Sequence, residues 1–188
     1  MDAVPLTMAS ALALGPTRAF LCALVVTIGA GCSPVLNWRE LRPASFAASA
    51  LLPCKPSHSV RQVPLAGQGV RLSMWACKAQ ELTWALAAAD VGQATRVGPV
   101  LQALRESTLS NFQARVVRET PMAVPGAAAW PAPAVVWLAG RRPDGAPANG
   151  RFVVFANGTQ VFQAVVVGEV EVPEAAAETF FESLRVGP

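Results

Sequence analysis

One histidine, His58, and four cysteines at positions 22, 32, 54 and 77 are the residues of this chain best suited to covalent or metal chemistry. His58 stands between Ser57 and Ser59 and reads as a solvated histidine on a turn. A Ser–His–Asp hydrolase needs a buried acid and a nucleophile on an exposed elbow, and no Gly-x-Ser-x-Gly occurs. A catalytic metal needs more ligands than a single histidine and scattered carboxylates provide. Asp90 ends an apolar run ahead of a helical segment, where its carboxylate serves a turn or a helix start by accepting backbone N–H groups. As a general base it lacks a visible partner. An enzyme would require Asp90 and His58 to meet in one cleft with a third polar group.

Gly67-Gln68-Gly69 and Gly29-Ala30-Gly31 are not phosphate loops, because neither follows a strand and opens a helix at the required spacing. Arg141 and Arg142 belong to a solvated hairpin turn, and an anion site there is the lesser reading. Glu169, Glu171, Glu174 and Glu178 lead into the last helical segment, where acids stabilise the positive end of the helix dipole. The expectation is a non-catalytic protein with no cofactor and no metal. A net charge of +3, with basic residues scattered, gives no nucleic-acid footprint.

The N-terminus carries the clearest functional signal. Arg18 precedes an apolar stretch from Ala19 to Ile28, followed by Gly29-Ala30-Gly31-Cys32. A charged start, an apolar run and small residues before a cleavage point are the parts of a secretory signal. The end of the run resembles a bacterial lipobox, with Gly29 where leucine is usual. Asp2 makes residues 1–7 a poor opening, so Met8 is an alternative start. The resemblance implies removal of residues 1–31, thioether lipidation of Cys32 and acylation of its new amine. More than one chain is needed for lasting attachment, at about 0.8 kcal/mol per buried methylene. Ser33 after the cysteine implies sorting to the outer membrane, with the domain on its periplasmic face. An uncleaved membrane helix from Ala19 to Leu36 is the competing reading. The second uncharged run, Thr120 to Gly140, contains four prolines and reads as a loop leading into a strand.

Once Cys22 leaves with the signal and Cys32 takes lipid, Cys54 and Cys77 remain. An even pair outside the cytoplasm reads as a disulfide. A redox pair and half a metal site are the alternatives, though Cys-x-x-Cys spacing and further ligands are lacking.

These residues require a scaffold. Residues 32–45 are expected to be the lipidated end and a tether, with Trp38 at the lipid interface, and residues 46–188 a single domain. Strands are expected over Phe46–Pro53 and Val60–Leu65. A hairpin of Val70–Cys77 and Leu82–Val91 should set Trp75 opposite Trp84 and Cys77 opposite Leu82. Trp75, Trp84 and Leu86 would line one face, and Leu72, Met74 and Ala85 the other. Pro99–Phe112 should be a helix with Val100, Leu101, Leu104, Thr108 and Phe112 inward. Ala134–Gly140, Arg151–Ala156 and Thr159–Gly168 read as strands, the last two joined at Asn157-Gly158. Pro173–Leu184 closes the chain as a second helix. Hairpins joined through helices predict an α+β fold, an antiparallel sheet with helices packed on it.

The run Leu52-Pro-Cys-Lys-Pro56, the tryptophan hairpin, the pair of strands around Asn157 and the Phe180-Phe181-Glu-Ser-Leu-Arg185 ending together resemble the Mog1/PsbP-like superfamily. That likeness implies an α/β/α sandwich over about Phe46 to Val186; the superfamily's better-known members are non-catalytic, and their particular roles do not transfer to this chain. The expected role is binding or assembly with another envelope protein. A periplasmic carrier of an apolar ligand is the rival reading, because an alanine-rich core could leave a cavity.

Overall fold

Runs of valine, alanine and phenylalanine broken by two-residue turns build most of residues 36–187, the part of the chain that the computed structural model describes. In chain order these residues form β1 (Arg39–Leu41), β2 (Ala48–Leu52), β3 (Ser57–Leu65), β4 (Gln68–Ala79), β5 (Leu82–Asp90), α1 (Ala94–Asn111), β6 (Arg115–Pro121), β7 (Ala134–Arg141), β8 (Pro147–Asn157), β9 (Gln160–Gly168), α2 (Glu174–Glu182) and β10 (Arg185–Val186). Seven strands make one antiparallel sheet in the order β3-β4-β5-β9-β8-β7-β6, and β1-β2-β10 make a small second one. This is the expected α+β class, with helices on an antiparallel sheet.

Alternation along β5 assigns the layers. Leu82, Trp84, Leu86 and Ala88 join the core formed with β2, α2 and β10, including Leu52, Phe180 and Leu184. Ala89 packs instead with Val97, Val100, Leu101 and Leu104 of α1. The large sheet is therefore buried on both sides, which explains why its central strands read as almost continuous apolar runs. Small alanines let α1 approach closely. The buried Gln163 amide donates to Thr108 Oγ1 at 2.6 Å, tying α1 to β9 through a satisfied polar contact.

Two hairpins differ from expectation in register and keep their faces. Cys77 pairs with Trp84 and Trp75 with Leu86, because the turn consists of Gln80 and Glu81 alone, both with positive φ. Neither is glycine, so the turn was invisible to residue type. In the second hairpin Asn157 pairs with Gln160, leaving Gly158 and Thr159 as the turn, with positive φ at Gly158. Each shift moves the pairing by two positions, so side chains stay on their side of the sheet.

Three strands were not expected. β1 lies within the supposed tether and pairs with β2, Arg39 opposite Leu52. Trp38, expected in a tether, is half-buried in the domain and packs edge-on against Trp84 at 6.1 Å between ring centroids. β10 pairs with β2 and lies just beyond the expected helix Pro173–Leu184. β6 has every residue exposed and a bulge at Val117, so no alternation marks it. α1 begins at Ala94 and holds Pro99 in its interior, not in its first turn. Gly126, with φ of +82°, sits so close to the Val186 carbonyl that a β-carbon there would overlap it. The loop after β6 is fastened to β10 at that point.

Candidate functional site

Paired positions run straight across the large sheet on the α2 side: Cys77, Trp84, Val166, Arg151, Trp137 and Arg118. Helix α2 covers the middle of this row, and the β7–β6 end lies open. There a cleft of about 550 Å³ lies between α2 and the sheet, with Met122, Val135, Trp137, Ala177 and Phe181 along it. Arg118 lies 4.1 Å from the Trp137 ring centroid and Arg151 5.0 Å, so the indole is flanked by two cations. Arg151 is buried, and it donates to Glu174 Oε2 at 2.7 Å and to the Val172 carbonyl at 3.2 Å. Glu178 and Glu182 stand further along α2 at the same cleft.

Electrostatics follow from the pairing. The hydrogen bond from Arg151 holds the Glu174 carboxyl below the usual glutamate range; desolvation opposes this, and the charges of Arg151 and Arg118 reinforce it. A depressed carboxylate contributes stability that is present above its unfolded value and lost as pH falls through its folded one. Glu174→Gln should therefore cost about 1 kcal/mol at pH 7, since the carboxylate is largely exposed and screened. As pH falls through the lowered folded value of Glu174 the variant and parent should converge, a comparison accessible by urea unfolding across pH. Equal stability at pH 7 would mean that the buried Arg151 has another sufficient partner.

A second groove, of about 520 Å³, lies on the α1 side among Pro99, Leu101, Gln102, Arg105, Glu119, Trp130 and Val154. Arg105 reaches Glu119 by two bonds, at 3.0 and 2.7 Å, and Gln102 donates to Glu106 at 2.8 Å. Trp130 stands at the rim with 87% of its surface exposed. Both spaces are surface grooves. Between the layers, Trp84, Phe155, Phe162 and Phe180 are fully buried, so the interior is filled by large side chains.

The residues picked out for chemistry are placed differently. His58 lies on β3 and not on a turn, stacked on Trp75 with ring centroids 4.7 Å apart. Asp90 ends β5 and accepts the Gly92 N–H at 2.8 Å, the turn role expected of it; Gln93 occupies the helix N-cap. His58, Trp75 and Leu86 share one row, four residues short of Asp90 on β5. At strand spacings this leaves Asp90 and His58 about 16 Å apart, so they do not form a site. Arg142 is taken up by Asp144 at 3.1 Å and Glu169 at 2.7 Å. Cys54 and Cys77 are joined in a disulfide, with Cα atoms 5.9 Å apart. Cys32 lies outside the described residues. No group of three or more histidine, cysteine or acidic residues is placed to hold a metal ion among the described residues.

Residue type alone missed the cleft. Arg118, Trp137 and Arg151 come from three strands, and β6, which carries Arg118, has no strand pattern in the sequence. The visible signal was Arg151 itself, a charge opening the apolar run Phe152 to Ala156. Fold and grooves together define a layered α+β domain with two open surface grooves. No family model matches the chain, and no curated protein matches it.

Proposed function

We propose that this chain is a lipid-anchored protein of a bacterial cell envelope, exported by residues 1–31 and attached through Cys32. Its α+β domain acts by binding or assembly and not by catalysis. The observation that carries the reading is the Cys54–Cys77 disulfide. Such bonds persist in oxidising compartments and are rare in the cytosol, so the bond and the leader support the same address. Helices on opposite faces of an antiparallel sheet also support the likeness to Mog1/PsbP-like domains, whose better-known members bind other proteins. Ser33 favours the outer membrane, and a partner within the envelope follows from the address.

Labelling bacteria with a palmitate analogue and fractionating their membranes tests the proposal. The parent chain should carry label and sediment with membranes, with an intact mass matching an acylated Cys32 N-terminus. Cys32→Ser should lose both label and processing. An unmodified Cys32 behind a retained leader in the parent chain would overturn the anchor.

A further inference from the structure

We infer that the groove on the α1 side binds a glycan containing N-acetylated hexosamine units, with Trp130 as its stacking platform. The inference extends the binding role proposed above and is independent of the lipid anchor. Single exposed apolar residues are common on protein surfaces and need no ligand. Trp130 differs in its setting. It stands 87% exposed at the rim of a groove of about 520 Å³ whose other side holds Gln102, Arg105 and Glu119. Among the described residues, arginines lie over the Trp137 ring, and none lies over the Trp130 ring.

The chemistry of the lining selects the ligand. A pyranose with equatorial substituents presents axial C–H groups on its faces and hydroxyls around its edge. A tryptophan face suits the first, being large, rigid and apolar. The edge needs donors and acceptors held in place. Arg105 and Glu119 fix each other through two bonds, offering remaining N–H donors and carboxylate lone pairs side by side. Gln102, held by Glu106 one helical turn on, can accept through its carbonyl. A hydroxyl both donates and accepts, so a paired arginine and carboxylate serve it better than either charge alone. Leu101, Val154 and Ala132 add apolar lining to the same groove. An acetamido group suits that combination, its methyl on the apolar lining and its amide toward Gln102. Pockets of this kind combine mostly apolar lining with a few placed polar groups.

β1 lies on the α2 side of the large sheet, and this groove lies on the opposite, α1 side.

Calorimetric titration of the purified full chain in detergent with a β-1,4-linked N-acetylglucosamine tetramer tests the inference. Saturable binding is expected, at least about tenfold weaker for Trp130→Ala. The glucose tetramer, lacking the acetamido group, should bind more weakly than the N-acetylated one. Trp130 is exposed, so circular dichroism should show the variant folded, and Gln102→Ala provides an independent second loss. No saturable binding at millimolar tetramer would overturn the inference, as would equal affinity in Trp130→Ala. A Trp130 fluorescence shift with phosphatidylethanolamine–phosphatidylglycerol vesicles and none with the tetramer would make the loop a bilayer contact and overturn it as well. Cys32→Ser should bind the tetramer like the parent chain, so failure of the anchor and failure of glycan binding are read separately.

Discussion

Trp84→Ala is expected to lower the unfolding free energy by about 3–5 kcal/mol, the range for removing a large buried aromatic. The side chain is fully buried and meets three parts of the fold at once. Its ring lies edge-on to Phe180 of α2 at 5.5 Å and to Trp38 at 6.1 Å. Its indole N–H donates to the Ala79 carbonyl at 3.4 Å, closing the β4–β5 turn. Alanine would leave a cavity where the large sheet, α2 and the β1 segment converge, and each of these is held by different neighbours that cannot all collapse inward. Trp84→Phe should retain much of the packing and cost about 1–2 kcal/mol through lost volume and the lost hydrogen bond. Urea unfolding reads both values. A Trp84→Ala loss under about 1 kcal/mol would mean that this junction is not a packed core. A double-mutant cycle with Trp38→Ala should return a coupling of about 0.5–1.5 kcal/mol, the signature of an aromatic edge contact. That coupling would also be direct evidence that the segment before β1 belongs to the domain.

The central strands were readable because burial on both faces demands apolar residues at consecutive positions, and β5, β8 and β9 supply them. Even where the pairing was two positions out, Trp75, Trp84 and Leu86 came out on one face, since strand side chains repeat every two residues. What stayed hidden depends on long-range company. Arg39 to Leu41 is too short and polar to announce a strand, and it forms one because β2 offers a partner and Trp84 a contact for the adjacent Trp38. Arg115 to Pro121 is exposed throughout and interrupted by a bulge, so an edge strand looks like coil. The cleft was lost with that strand. Trp137 lies in an apolar run and reads as core until Arg118 is seen beside it. The Cys54–Cys77 disulfide was legible by a different route, since setting aside Cys22 and Cys32 on the expectation of a lipoprotein leader required no geometry. His58 illustrates the converse: its residue type invites a catalytic reading, and its place on an outer strand against Trp75 gives it a packing role.

Removing the disulfide should have the second large effect. Cys54 and Cys77 are 23 positions apart, and the chain-entropy treatment of a loop this size gives about 3 kcal/mol. Local geometry raises the stakes. Cys54 lies two residues beyond the end of β2, and Cys77 lies on β4 opposite Trp84, so the bond bolts the small sheet to the large one beside the tryptophan junction. Replacing both cysteines by alanine should lower stability by about that amount and unfold the β1–β2 layer first, because the strand pairings of β2, with β1 and β10, are short and only its buried side chains hold it to the rest of the core. Hydrogen exchange should show Leu51 and Leu52 losing protection ahead of the β8–β9 pair. Dithiothreitol should destabilise the parent chain to the level of the double variant and leave the variant unchanged. Equal unfolding midpoints with and without reductant, together with two alkylatable thiols in the untreated protein, would show the bond absent from the native protein. In that event the proposed oxidising compartment would rest on the leader alone. Combining Trp84→Ala with loss of the bond should cost less than the two separate effects added together, since both weaken the same junction and the second change would find the layer already loosened.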